Sequence, residues 1–227
     1  MKKLLLLFCF AFTLSPVWAQ QKPGYRLKDL IFKIKTDTIV DIVSVLKGSY
    51  VANYPDSGIY YAKELITYGR QNNDRHILAS GLNIYSYALY NKGNYPVALN
   101  LAFQSLKIIE NSTYTRELSS IYNLIGNIYK GQQNYSKALY YYRRGKQSAL
   151  VSHNRIILSV SYFNMAFVFK ETNVLDSALY YSQLAVKDNN DATGQWMGYI
   201  LSTLGDEHLK LKNYKKALEY YQAAYKL

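Results

Sequence analysis

The sequence predicts an all-α array of about five helix-turn-helix repeats, and three observations carry that expectation. A small residue recurs at Gly58, Ala98, Ala138, Ala178 and Ala217, with spacings of 40, 40, 40 and 39 residues. Around each of these anchors the apolar residues fall three and four apart, which places them on one face of a helix. The chain holds 25 tyrosines but only 2 tryptophans and 4 prolines, and an excess of one residue type on that scale points to repetition.

The first segment stands apart from the repeats. Lys2 and Lys3 precede an apolar run from Leu4 to Leu14, which Ser15 and Pro16 break before Val17-Trp18-Ala19. A basic start, a short apolar stretch and small residues before the cut form a secretory signal peptide. Cleavage is expected after Ala19, giving an exported chain, periplasmic or secreted. The run falls short of the ~20 residues that a membrane span needs, and no later segment of the sequence reads as one. Residues 20–38 form a lead-in, and residues 39–227 hold the repeats. The single cysteine, Cys9, lies in the removed segment, so a disulfide, a cysteine nucleophile and a thiolate metal site are not expected.

Within the repeats each position has a preference. Twelve residues before the anchor stand Leu46, Ser86, Gly126, Ala166 and Gly205, and seven after it Leu65, Ser105, Gly145, Ala185 and Ala224. Small residues at such fixed points let paired helices approach, while the large residues nine, thirteen and sixteen before the anchor fill the remaining space. The first helix of a unit ends in a polar turn such as Asn91-Lys92-Gly93-Asn94 or Gln132-Gln133-Asn134. The second begins three residues before the anchor, and Pro96 falls in a first turn, where proline is tolerated.

On these residues the chain resembles the tetratricopeptide repeat family, in an exported bacterial form with ~40-residue units. The third unit carries the motif best, through Tyr122, Ile125, Gly126, Tyr129, Tyr135, Ala138, Tyr142 and Gly145. The fifth follows with Leu201, Leu204, Gly205, Tyr214, Ala217, Tyr221 and Ala224, and the first is worn. Units of that family commonly repeat every ~34 residues, so the extra residues are expected between units, at Asn111 to Tyr114 and Asp188 to Asp191. The last unit ends at Leu227 without a capping helix, which exposes Leu218, Tyr221 and Ala224 and offers a surface for self-association.

The resemblance implies a right-handed superhelical solenoid whose first helices line a concave, partner-binding groove. The residues it points there are Asn83, Tyr87 and Tyr90 in the second unit and Asn123, Asn127 and Lys130 in the third. The fourth contributes Phe163, Phe167 and Lys170, and the fifth Tyr199, Ser202, Asp206 and Lys210. Asparagine amides bond a peptide backbone in both directions, aromatics give contact area at low entropy cost, and lysines favour acidic partners. One subtype of the family clamps a carboxylate tail with lysines and asparagines. Asn127 matches one of those asparagines, but Asn123 stands where the first lysine belongs, so that function is not carried over.

Enzyme chemistry is not expected, nor is a cofactor. His76, His153 and His208 are far apart in sequence, and none pairs at metal-ligand spacing. His208 occupies a packing position, where it is expected to make one hydrogen bond. Net charge is +12, but the lysines and arginines are scattered rather than blocked, which argues for solvated helix faces over nucleic acid. The function that follows is a scaffold binding a peptide or protein. The alternative is the receiving region of a bacterial histidine kinase or transcription regulator cut at Leu227.

Overall fold

The computed structural model of the chain describes residues 55–189 and 195–227. The expected signal peptide, the expected lead-in, the expected first helix of the first unit and residues 190–194, which include Asn190-Asp191 of the expected connector, lie outside the described residues. Among those described, the helices are α1 (Pro55–Gln71), α2 (Arg75–Asn91), α3 (Tyr95–Ile109), α4 (Thr115–Gly131), α5 (Tyr135–Val151), α6 (Arg155–Glu171), α7 (Leu175–Asp188), α8 (Gln195–Lys210) and α9 (Tyr214–Tyr225). No strand is present among them, so this is an all-α helical repeat. The helices fall into two compact bodies, one ending at Asn94 and the other running from Tyr95 to Leu227.

Turn chemistry sets the helix boundaries. Asp74, Asn134, Asn154 and Asn213 each accept a hydrogen bond from the backbone N–H three residues on, which satisfies a donor the first helical turn leaves open. Just before each of these caps, one residue adopts a left-handed backbone: Asn73, Gln133, His153 and Lys212. Asn173 and Gly93 do the same in the two remaining short turns. That conformation turns the next N–H back onto the helix, as when Asn134 donates to the Tyr129 carbonyl at 2.8 Å. Only Gly93 adopts it without a side-chain clash.

The longer period has two sources. Five residues separate α3 from α4, as expected, but α1 to α2 and α5 to α6 are joined by three-residue turns. At those junctions the extra length lies inside the helices, several of which run 17 residues. Expectation placed it between the units throughout. The caps Asp74 and Asn154 and the left-handed residues Asn73 and His153 instead keep these connections tight, and the added residues fall within the helices.

In the first body α1 packs along α2, with Ala62, Leu65, Ile77, Ile84 and Ala88 buried between them. In the second, α4 pairs with α5, α6 with α7 and α8 with α9, and each pair packs on the next through α5–α6 and α7–α8. Size complementarity governs the pairs. A Cβ on Gly126 would overlap the ring of the fully buried Tyr142, and Gly205 stands in the same relation to Tyr221. In the fourth unit the partner positions hold Ala166 and the smaller Ser182.

The tyrosines have a repeated task. Tyr141 stacks on Tyr129 at 5.6 Å and Tyr122 at 6.4 Å and meets Phe103 edge-on at 5.9 Å, joining α3, α4 and α5. Tyr181 stacks in the same way on Tyr162 and Phe169. Arg144 lies over the Tyr122 ring and donates to its hydroxyl at 2.8 Å. Burial pushes the Tyr122 phenol above its ordinary range, with that hydrogen bond opposing the rise.

Candidate functional site

The first helices of the third, fourth and fifth units, α4, α6 and α8, bring five of the expected groove residues together. They sit at two repeat positions. Eleven residues before the anchor come Asn127, Phe167 and Asp206, and eight before it Lys130 and Lys170. The Lys130 ammonium lies 4.4 Å from the centre of the Phe167 ring, and Lys170 approaches the same ring at 5.4 Å. Two cations from neighbouring helices thus converge on one aromatic ring, an arrangement the ring quadrupole favours. Lys170 also reaches Asp206 Oδ2 at 3.7 Å.

The flanking groups fix this cluster. Tyr142 donates its hydroxyl to Asn127 Oδ1 at 2.8 Å, and Tyr221 donates to Asp206 Oδ1 at 2.8 Å. Both bonds run from the second helix of a unit to its first and recur at the same repeat positions. The Lys130 ammonium differs from the rest. Among the described residues it has neither an ion pair nor a hydrogen bond. Burial holds it below the usual lysine range, and the charge of Glu171 only partly offsets this.

Three other expected residues share the position fifteen before the anchor, and all are buried: Asn83, Asn123 and Phe163. Asn123 donates to the Ser119 carbonyl at 3.0 Å and to Ser161 Oγ at 2.9 Å, binding α4 to α6. Gly145 makes room for it, since a Cβ there would press on the Asn123 amide at 3.0 Å. Its amide is therefore committed inside the array rather than presented at its surface. In the first body Tyr87 and Tyr90 are half-buried, with rings stacked at 6.2 Å.

Phe163 has a different role from the asparagines. It is 4% exposed and forms the floor of a ring cluster with Trp196 at 5.1 Å and Tyr199 at 5.3 Å. Trp196 and Tyr199 stack at 6.1 Å, and both remain on the surface. Sequence reasoning included Tyr199 but missed Trp196, which precedes the regular positions of its unit.

Glu207 was also missed. It is wholly buried and accepts a hydrogen bond from Ser182 Oγ at 2.8 Å, while its Oε2 has no partner. Burial pushes its carboxyl up to about 7, against the pull of the Ser182 bond and the Lys170 charge. His208 packs as expected but without the expected hydrogen bond. Its imidazole stacks on Tyr220 at 5.3 Å, and burial lowers its basicity. Asp206, Glu207 and His208 therefore face three directions, as consecutive residues on a helix must. Among the described residues no group of acidic residues, histidines or cysteines is gathered as a metal would require, and no helix is long and apolar enough to cross a membrane.

The tetratricopeptide repeat model matches residues 198–227, which make up most of the fifth unit. Among solved structures, the chain is similar to the apo form of RapI, with a TM-score of 0.62 and 16% identity over 73% of this chain and 68% of that one. It is similar to BtubC from P. vanneervenii, with a TM-score of 0.60 and 15% identity over 67% of this chain and 64% of that one. It thus spans less than two thirds of the BtubC chain. MamA 41-end from Desulfovibrio magneticus RS-1 follows, with a TM-score of 0.52 and 17% identity over 82% of this chain and 93% of that one. At these identities the likeness is one of fold. No curated protein sequence matches the chain.

Proposed function

From a fold of the tetratricopeptide type, we propose that this chain is a protein-interaction scaffold which takes a peptide with acidic character on the face formed by α4, α6 and α8. The observation that carries the reading is the convergence of Lys130 and Lys170 on Phe167. A half-buried ammonium that makes no ion pair, its burial only partly offset by the charge of Glu171, is costly to hold. A carboxylate from a ligand supplies the missing partner through a charge-assisted hydrogen bond. Asn127 and Asp206, held by tyrosine hydroxyls, flank the position with polar groups that are already oriented. Preorganisation of this kind lowers the entropy cost of binding.

Reversing the two charges, Lys130→Glu with Lys170→Glu, tests the assignment. Because the Lys170 side chain is only 15% exposed, the milder Lys130→Gln with Lys170→Gln is made alongside and serves as the test should the reversed charges disturb the fold. Partners recovered by pull-down with the wild-type chain are expected to be lost with the folded variant, while its circular dichroism stays the same. Recovery of the same partners would remove the assignment. The proposal includes export: the chain isolated from its own cells is expected to begin at Gln20 by N-terminal sequencing. A start at Met1 would contradict that part.

A further inference from the structure

We propose that this face reads a short extended peptide in which an acidic residue and a bulky apolar residue are separated by one position. The acid sits between Lys130 and Lys170, and the apolar side chain sits on Trp196 and Tyr199. The inference rests on the proposed function above and deepens it.

The spacing comes from α6. Phe163 and Phe167 are four residues apart on one helix, so they share a face and lie about 6 Å apart along its axis. Phe167 carries the two lysines. Phe163 carries the aromatic platform, with Trp196 37% and Tyr199 54% exposed above it. The two rings that anchor the cationic and the aromatic positions are thus one helical turn apart. In an extended peptide, side chains on the same side recur every second residue, at about 6.6 Å. One intervening residue therefore matches the two positions.

Two further observations favour this ligand. Lys130 makes no direct ion pair and the Glu171 charge only partly offsets its burial, so charge complementarity favours an anion at that end. Asn127 gives its Oδ1 to Tyr142, which leaves its amide nitrogen able to donate toward a peptide carbonyl. An extended chain has unpaired carbonyls along its length, whereas a helical one has already used them.

The test is fluorescence polarisation of the mature chain with labelled octapeptides on a Gly-Ser background. Each carries one Glu and one Phe, in either order, with zero to three residues between them. The peptides with one intervening residue are expected to bind about tenfold tighter than the others, and Glu→Gln in the peptide is expected to lose about tenfold. Trp196→Ala is expected to abolish the spacing preference while leaving dependence on the acid. Tyr199→Ala serves as a second variant should Trp196→Ala disturb the fold. Lys130→Ala is expected to abolish dependence on the acid.

Equal affinity at every spacing, or a preference for three intervening residues, would overturn the extended two-point ligand. So would an unchanged preference in both aromatic variants. If no octapeptide binds while charge reversal still removes partners in the pull-down, the two-point ligand fails and the scaffold reading stands. If the pull-down is also insensitive, both fail.

Discussion

Replacing Glu207 by glutamine is expected to stabilise the protein by about 3 kcal/mol near pH ~8 and to change little near pH ~4. The carboxyl has an ordinary value of 4.5 and is pushed up to about 7 in the folded chain, chiefly by burial. Below 4.5 both the folded and the unfolded state carry the proton, and the group makes no pH-dependent contribution. Between 4.5 and about 7 the unfolded chain releases a proton that the folded chain retains, so stability falls as pH rises through this window. Above it, the loss is complete. Glutamine keeps an acceptor for Ser182 Oγ but has no proton to lose. Urea denaturation of both chains at three pH values across the window provides the measurement. A difference that does not depend on pH would mean that the carboxyl ionises in the fold as it does in water.

Tyr142→Ala is expected to be the most damaging single change in the second body, at about 3–5 kcal/mol. The ring is fully buried, fills the space left by the missing side chain of Gly126, and fixes Asn127 through its hydroxyl. Removing it leaves a cavity between α4 and α5 and takes the hydrogen-bond donor from the Asn127 amide oxygen at the proposed binding face. Tyr142→Phe keeps the ring and is expected to lose only about 1 kcal/mol, the net worth of one hydrogen bond. Amide exchange across α4 and α5 reports the local loss, since stability in repeat arrays is distributed unit by unit. Equal losses in the two variants would show that the ring itself contributes nothing.

These two residues mark the limits of what the sequence reveals. The repeat spacing correctly located the starts of the second helices at Tyr95, Tyr135, Leu175 and Tyr214. It also brought Asn127, Lys130, Phe167, Lys170 and Asp206 into one cluster, because residues at equivalent positions of stacked units become neighbours. It could not tell buried from exposed positions along one helix face. Positions eleven and eight before the anchor reach the surface, whereas the position fifteen before it is turned between helices. Asn83 and Asn123 are therefore buried although their chemistry suits a peptide.

Glu207 escaped notice for a related reason. Its repeat position holds Ala88, Ile128 and Val168 in the other units, all buried. A lone glutamate among them reads as a solvated side chain until the partner across the helix pair is known. That partner is Ser182, small where the third and fifth units have Tyr142 and Tyr221, and the space it leaves admits the carboxyl. Such pairing between units is invisible when positions are read one at a time. The same applies to Trp196, whose role depends on Phe163 beneath it.

The central claim is that partners bind on the face of α4, α6 and α8, and site-specific photocrosslinking tests it most directly. A photoreactive phenylalanine analogue is placed at Phe167 in one chain and at Tyr180, an exposed ring on the second helix of the same unit, in another. Both chains are expressed in the native cells and irradiated. Crosslinks to a partner are expected from position 167, reduced by an acidic octapeptide of the preferred spacing, and not from position 180. Crosslinks from position 180 with none from position 167 would contradict the claim.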